Sequence, residues 1–284
     1  MLIKNPKIGI MQGRLSEPYG EKIQAFPTTS WQQEFKKASS CGFDVIEWIF
    51  DTYSPNPILS SEGISEIKSL QKKHNILIRS ICGDYFMEKK LFGASEYDLE
   101  KNIQILKELI LQSKKLESSI IEIPLVDSSS LKTSKDRIEL RNNLERIIPL
   151  AEKNDVTIVL ETDLSPLDFK QLLSEFNHPN IMANYDSGNS ASLGYNSKEE
   201  LITLKKWIKN IHVKDRKLHG GTVPLGSGDT DFDLFFSTLS EIQYLGDLII
   251  QGARSTDANV SPETTCQTYQ KFVKEYVDKY YNLI

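Results

Sequence analysis

The chain has 284 residues, with 34 Lys or Arg and 39 Asp or Glu, so its formal net charge is −5. A mildly acidic chain without a basic cluster is a poor partner for nucleic acids, because neutralisation of phosphates supplies most of their non-specific affinity. No run approaches the roughly 18 apolar residues of a membrane-spanning helix, and the start lacks the apolar segment of a secretory signal. Three widely spaced cysteines do not make a disulfide framework. We therefore expect a cytoplasmic protein that binds a small molecule, with no nucleic-acid or membrane partner.

Short β-branched segments alternate with longer amphipathic segments along the whole chain. In chain order the predicted strands are Lys7–Met11, Val45–Phe50, Ile76–Cys82, Ser119–Leu125, Thr157–Glu161, Ile181–Tyr185, Asn210–Lys214 and Asp247–Gln251. The predicted helices are Trp31–Ser40, Ser60–His74, Glu96–Lys115, Asp136–Asn154, Pro166–Phe176, Lys198–Lys209, Leu234–Ile242 and Pro262–Tyr281. Strands that alternate with helices are parallel and are joined by crossovers.

Eight such units predict a closed (β/α)8 TIM barrel of the α/β class, with a single domain over residues 1–284. An open doubly wound sheet is disfavoured, because it usually carries G-x-G-x-x-G after its first strand and Ile10–Leu15 does not fit that pattern. The Tyr-rich end, Tyr276–Leu283, has helical spacing and is expected to pack on the barrel or on a partner subunit, so a homo-oligomer is possible.

The functional side chains of a TIM barrel lie at the carboxyl ends of its strands. Because side chains alternate along a strand, the apolar residues that face the helices identify the inward ones. Ile158 and Leu160 face the helices, which leaves Glu161 as the last inward residue of its strand. The same alternation predicts one inward polar residue at or near the end of each of the three following strands: Asp186, His212 and Gln251.

Four polar side chains at matching depth on consecutive strands predict a common site. Carboxylate and amide oxygens with one imidazole suit Mn, Mg, Co or Zn, so Glu161, Asp186, His212 and Gln251 are candidate ligands of one divalent metal ion. The alternative is a hydrogen-bonded plug that closes the mouth of the barrel.

Several motifs along the chain carry a resemblance to a known family. They are Met11–Leu15, Phe43–Trp48, Leu160–Thr162, Tyr185–Asn189, His212–Arg216 and Gly221–Phe232 taken with Gly220. With them the chain resembles the xylose isomerase-like barrel superfamily, the group of sugar phosphate isomerases and epimerases. In that family a divalent ion is held by a Glu, an Asp, a His and a second Glu on strands five to eight. Glu161, Asp186 and His212 match the first three, whereas Gln251 stands where the family places its second Glu.

The resemblance implies a metal-dependent isomerase or epimerase that acts on a sugar or sugar phosphate through an enediolate. Epimerisation by two bases needs one titratable group on each face of the carbon. Glu161 can be the first, but the Gln251 amide cannot titrate, which favours a one-base proton relay or another reaction through the enediolate. Glu47 points inward on the second strand and is a candidate for the missing acid–base group, or else a buried structural carboxylate.

Two other activities remain open on the same reasoning. One is a dehydratase, a lyase that acts on a polyol or keto-sugar through the same enediolate. The other is a non-catalytic carbohydrate-binding barrel that lost turnover through Gln251. An endonuclease of the superfamily that cleaves abasic DNA is disfavoured, because its multi-zinc site needs several histidines and only His212 is well placed among four.

The remaining candidates are polar residues near the strand ends. Lys214 is a further catalytic candidate, because it shares the inward face with His212 and could orient a substrate oxygen, unless it forms a salt bridge with Asp186 or Glu161. Arg matches the geometry of phosphate by its planar fork. The candidate substrate-binding residues are Gln12, Arg14, Asp127, Arg216, His219 and Arg254.

Overall fold

Eight parallel strands close into a barrel in the computed structural model, which describes residues 5–18, 20 and 24–282. Each strand is hydrogen-bonded to the next in chain order, and the last pairs with the first. The strands are β1 Ile8–Met11, β2 Val45–Ile49, β3 Ser80–Cys82, β4 Ile120–Leu125, β5 Thr157–Thr162, β6 Ile181–Asp186, β7 Ile208–Val213 and β8 Leu248–Ile250. The predicted TIM barrel is therefore confirmed.

The helices surround the barrel and cover its outward apolar side chains. They are α1 Trp31–Ser40, α2 Ser61–His74, α3 Tyr85–Glu88, α4 Glu96–Leu116, α5 Ser134–Glu145, α6 Ile148–Lys153, α7 Pro166–Phe176, α8 Ser187–Leu193, α9 Ser197–Leu204, α10 Phe232–Glu241 and α11 Pro262–Tyr281. Short 3-10 turns occupy Pro57–Leu59 and Asp127–Ser129. In the described part of the chain, no helix combines the length and the apolar character needed to cross a membrane.

Two predicted helices differ from the observed ones. The segment Asp136–Asn154 is two helices rather than one, because Pro149 in the first turn of α6 has no N–H to donate and its ring excludes a preceding helical turn. The predicted helix Lys198–Lys209 ends at Leu204, and β7 begins at Ile208 rather than Asn210.

The register of the strands fixes which side chains share the interior of the barrel. Glu47 pairs with Met11, Glu122 with Val159, and Asp186 with His212. Between β6 and β7 the register shifts, so that Ala183 lies beside Ile208 but Asn184 lies beside Asn210. Lys209 is the extra residue of a β-bulge, which inserts one unpaired residue into one strand of a pair.

The middle of the barrel is polar rather than apolar. The buried interior side chains include Glu47, Ser80, Glu122, Asn184, Asn210 and His212. Buried polar groups are costly unless they bond to one another, so this layer depends on its internal contacts. It lies directly beneath the ends of β5, β6 and β7.

The Tyr-rich carboxyl-terminal helix packs on this chain's own barrel. Tyr276 stacks on Phe236 of α10 with ring centroids 4.9 Å apart, and the buried Tyr281 hydroxyl donates to the Tyr244 carbonyl at 2.9 Å. Leu283, at the end of the predicted segment, lies outside the described residues, as do the outermost residues of the predicted domain.

Candidate active site

Three of the four candidate metal ligands converge at the ends of adjacent strands. Glu161 on β5, Asp186 on β6 and His212 on β7 are buried, and their ligand atoms all lie within 4.8 Å of one another. His212 Nδ1 is 3.0 Å from Glu161 Oε2 and 3.9 Å from Asp186 Oδ2. One ring nitrogen facing carboxylate oxygens is a donor set that suits a divalent cation.

Gln251 follows β8 beside this cluster. Its backbone N–H donates to the Val213 carbonyl of β7 at 3.0 Å, and its side-chain Nε2 donates to Gln24 Oε1 at 3.0 Å. The side-chain oxygen of Gln251 is buried and has no hydrogen-bond partner among the described residues. Since buried polar atoms in native proteins are nearly always satisfied, this orphan acceptor fits a ligand or cation. The donor set as a whole therefore fits a divalent ion.

The other ring nitrogen of His212 contacts Glu47. His212 Nε2 lies 2.6 Å from Glu47 Oε1, and Asn210 Nδ2 donates to Glu47 Oε2 at 2.8 Å. With the proton on Nε2, the Nδ1 lone pair faces Glu161 and Asp186, and this is the arrangement in which a carboxylate orients a metal-binding imidazole. Burial opposes protonation of His212, but the charges of Glu47 and Glu161 outweigh it and raise its pKa well above the ordinary value.

Glu47 itself lies beneath the imidazole and is fully buried. Burial disfavours its ionised form, but the contact with His212 outweighs this and lowers the pKa of Glu47. Its placement favours a role in orienting His212 over the direct acid–base role that we considered from the sequence.

Glu122 on β4 is a second buried carboxyl group under the site, and the sequence analysis did not select it. It lies within 4.8 Å of Glu47 and His212, counted between ligand atoms. Burial and the charge of Glu161 raise the pKa of Glu122 well above its ordinary value. The signal was available, because Glu122 stands between Ile121 and Ile123 and alternation places it inward.

The short helix α8, which starts directly after β6, holds the Glu161 side chain in position. Asp186 caps α8 by accepting the backbone N–H of Asn189 at 2.8 Å. The Asn189 side chain then donates to Glu161 Oε1 at 2.7 Å and accepts from Arg216 Nη1 at 2.9 Å. Asn184 Nδ2 donates to the other oxygen of Glu161. Both oxygens of the candidate base are thus held by amides.

The glycine before Asn189 permits this close packing. A Cβ atom at Gly188 would lie 2.8 Å from the Lys214 side chain, too close for any other residue without a shift. Lys214 Nζ lies 3.4 Å from Asp186 Oδ2. The predicted catalytic residue Lys214 therefore lies at the cluster, and it forms there the salt bridge with Asp186 that was the alternative to a catalytic role.

Four of the predicted substrate-binding residues bond to protein groups near the mouth. Gln12 Oε1 accepts from the Ile49 N–H at 3.0 Å, and Arg14 Nη2 donates to Gln24 Oε1 at 3.2 Å. Arg216 bonds to Asn189 and also donates to the Gly220 carbonyl. The Arg254 guanidinium donates to the Ser16 and Gly13 carbonyls, both at 2.8 Å, and so anchors the loop after β1.

The other two predicted substrate-binding residues lie away from the cluster. His219 is exposed in the loop after β7, where its backbone N–H donates to the Ser192 carbonyl at 2.8 Å. Asp127 begins the 3-10 turn that follows β4. Among the described residues, neither His219 nor Asp127 belongs to a cluster of side chains that could hold a metal ion.

A cavity of about 490 Å³ opens beside the ends of β1 and β8. It is lined by Arg14 and Arg254 and by the first turn of α11, among other groups. Burial and the neighbouring Arg254 lower the pKa of Arg14 to about 10, which leaves it cationic at neutral pH. Glu17 and Asp257 also line the cavity, so its wall carries charges of both signs.

The loop after β7 is held by a single buried carboxylate. Asp215 accepts the backbone N–H groups of Gly226, Gly228 and Thr230 at 2.9, 2.7 and 3.1 Å. A Cβ atom at Gly228 would lie 2.0 Å from the Asp215 carboxylate, so only glycine fits there.

A polar cluster at the carboxyl end of an eight-stranded parallel barrel defines a candidate metalloenzyme of the TIM-barrel class. The chain belongs to the xylose isomerase-like TIM barrel family, whose profile matches residues 35–275. A Haemophilus influenzae protein named putative L-ribulose-5-phosphate 3-epimerase SgbU is 26% identical over 297 residues, covering 98% of each chain. The L-ribulose-5-phosphate 3-epimerase UlaE of Salmonella paratyphi A is 23% identical, covering 93% of each. The solved structure of the IolI protein with a zinc atom has a TM-score of 0.77 at 18% identity, covering 96% of this chain and 99% of the other, a likeness of fold.

Proposed function

We propose that this chain is a divalent-metal-dependent epimerase or isomerase of a sugar or sugar phosphate. The observation that carries the proposal is the buried convergence of Glu161, Asp186 and His212, whose ligand atoms lie within 4.8 Å of one another at the mouth of the barrel. The names of the relatives from Haemophilus influenzae and Salmonella paratyphi A favour a ketopentose phosphate as the substrate.

Glu161, Asp186, His212 Nδ1 and the orphan Gln251 Oε1 would hold a single Mn, Mg, Co or Zn ion. When bound, such an ion acts as a Lewis acid that polarises substrate oxygens and stabilises negative charge beside the reacting carbon. The zinc named for the IolI structure supports this assignment, because that protein shares the fold.

Glu161 is the group that takes the carbon-bound proton and leaves an enediolate. Asn189 and Asn184 bond to its two oxygens, so the carboxylate is fixed in one orientation before the substrate arrives. Preorganised groups avoid reorganisation at the moment of reaction. Lys214, beside Asp186, is placed to donate to a substrate oxygen.

The cavity beside β1 and β8 is the proposed site of the substrate phosphate. Arg14 and Arg254 line it and match phosphate by their planar guanidinium groups, and the βα loops at the end of a barrel are a frequent phosphate site in this fold. Arg216, in the loop after β7, is the other arginine near the mouth.

The test is proton NMR of L-ribulose 5-phosphate in deuterated water with the Mn²⁺-loaded protein. We expect exchange of the C3 proton and formation of the 3-epimer, both lost on chelation and in Glu161→Gln. A Glu34→Gln variant is the matched control, because Glu34 is a buried carboxyl that contacts the Gly13 backbone and lies outside the cluster. Loss of water from the product would instead show a dehydratase, and binding without exchange would show a non-catalytic barrel. An active Glu161→Gln variant would reject Glu161 as the base.

A further inference from the structure

A buried carboxyl group on α9 lies behind the candidate site and is not used by the mechanism above. Glu200 belongs to the inner face of this helix and is 7% exposed. Its Oε2 accepts two hydrogen bonds, one from the Tyr185 hydroxyl at 3.1 Å and one from the Ser190 hydroxyl. Burial of a carboxyl group is costly unless its oxygens are hydrogen-bonded. The two hydroxyls therefore hold Glu200 in this buried position.

The two hydroxyls belong to a strand and to a short helix. Tyr185 lies on β6, a strand of the closed barrel. Ser190 lies on α8 and directly follows Asn189, whose side chain donates to Glu161 Oε1 at 2.7 Å. Glu200 therefore links a strand of the barrel to the helix that holds the candidate base.

The helix α8 depends on such contacts for its position. It has seven residues, and helices this short are not stable in isolation. On the side of β7, the Ser187 hydroxyl donates to the Lys214 carbonyl at 2.7 Å. Toward α9, Ser190 and Glu200 are among the residues that line a cavity of about 20 Å³. Because packing is incomplete there, the hydrogen bond from Ser190 to Glu200 supplies a restraint on α8 that packing does not.

We infer that Glu200 is a positioning residue, which fixes α8 through Ser190 and so holds the Asn189 amide against the Glu161 carboxylate. This inference rests on the proposed function. Without the acceptor on Glu200, α8 is free to shift, and the Glu161 carboxylate is no longer held in one orientation. Proton abstraction requires a base that is aligned with the reacting carbon, so the reaction should slow.

Steady-state kinetics with L-ribulose 5-phosphate at saturating Mn²⁺ test this role. Glu200→Leu removes the acceptor and keeps the approximate size of the side chain. We expect kcat to fall by about 10–100-fold, as for other residues that support a metal site from behind. KM should change little, because the lost contact acts on the reacting carboxylate rather than on substrate binding. Glu200→Gln keeps an oxygen that can accept from both hydroxyls and should retain the wild-type kcat.

A double-mutant cycle shows whether the effect passes through Asn189. Asn189→Ala removes the amide that bonds to Glu161 and should lower kcat by itself. If Glu200 acts through this amide, adding Glu200→Leu to Asn189→Ala should cause almost no further loss, because residues that act as a unit are not additive. A general structural effect of Glu200 would instead lower kcat by the same factor in both backgrounds.

Hydrogen exchange of the backbone amides reports on the position of α8 without any substrate. Residues 187–195 should exchange faster in Glu200→Leu than in the wild type, because the helix opens locally, whereas the amides of β4 and β5 should be unchanged. Ser190→Ala should show the same local increase and a similarly lowered kcat. Ser113→Ala is the matched control, because it removes a buried hydroxyl of α4 that donates to the Ser118 carbonyl, and it should change neither.

The possible failures are distinguishable. If the wild type neither exchanges the C3 proton nor epimerises, the proposed function fails and the catalytic part of the inference falls with it, while hydrogen exchange still decides whether Glu200 fixes α8. If the wild type is active, the inference is overturned by an unchanged kcat in Glu200→Leu, by an equal loss in Glu200→Gln, by losses that multiply with Asn189→Ala, or by unchanged exchange of residues 187–195. If Glu200→Leu does not fold, Ser190→Ala carries the same kinetic and exchange predictions.

Discussion

The contact between Glu47 and His212 predicts a defined loss of metal affinity in Glu47→Gln. The two side chains are buried, with exposures of 0% and 1%, and Glu47 Oε1 lies 2.6 Å from His212 Nε2. Gln can still accept a hydrogen bond from the ring, so the variant removes the charge and keeps the shape. Loss of such an orienting carboxylate typically costs 10–100-fold in metal affinity, which is about 1.4–2.7 kcal/mol of binding free energy.

Calorimetric titration with Mn²⁺ at several pH values is the assay. Protons compete with the ion for His212, and Glu47 contributes to the raised pKa of His212. Without that charge the imidazole loses its proton at lower pH. Mn²⁺ binding by Glu47→Gln should therefore be weaker at alkaline pH and should decline less as the pH is lowered. Glu34→Gln, which changes a buried carboxyl elsewhere, should bind as the wild type does. A Glu47→Gln variant with unchanged affinity and pH dependence would refute the orienting role.

Three other perturbations have expected outcomes. Burial raises the pKa of Glu200 from 4.5 to about 7. The protonated carboxyl group therefore contributes about 3 kcal/mol to the free energy of unfolding, which is fully present below pH 4.5 and is lost as the pH rises through about 7. Urea unfolding of Glu200→Gln should show a flatter pH dependence than the wild type, and an equal slope would contradict the assignment. Asp215→Ala leaves three backbone N–H groups without their acceptor, which should lower the unfolding free energy by about 3 kcal/mol or more and speed proteolysis within residues 217–231. Gln251→Glu adds a charge beside the ion and should tighten Mn²⁺ binding at least about tenfold, whereas weaker binding would place Gln251 outside the metal site.

Most of the correct predictions came from the alternation of apolar and polar side chains along the strands. It identified the strands and the inward positions of Glu161, Asp186, His212 and Glu47, because in a parallel barrel each strand has an apolar outer face against the helices. A strand period of two and a helix period near 3.6 are strong signals when the segments are long. The convergence of the first three side chains followed from the closed topology.

The features that the sequence did not predict lie in loops, in one very short helix and where the alternation of side chains along a strand is interrupted. Gln24 comes from the long loop after β1, which has no periodicity, so its contacts with Gln251 and Asp84 required the folded chain. The short helix α8 was missed because seven residues are too few to show a helical period. The first residues of β7 were missed because the exposed Lys209 interrupts the alternation between Ile208 and Asn210.

That interruption decides which way the seventh strand presents its polar residues. Lys209 occupies the extra place of the bulge, so Ile208 still lies beside Ala183 and Asn210 beside Asn184. Were the strand regular with Lys209 retained and the pairing of Ile208 with Ala183 kept, Lys209 would lie beside Asn184 and every later side chain would change faces. The imidazole of His212 would then point among the apolar helices, away from the carboxylates of Glu161 and Asp186. The bulge thus absorbs one surplus residue, and deletion of Lys209, which restores the regular ladder, should be far less damaging than insertion of a second residue beside it.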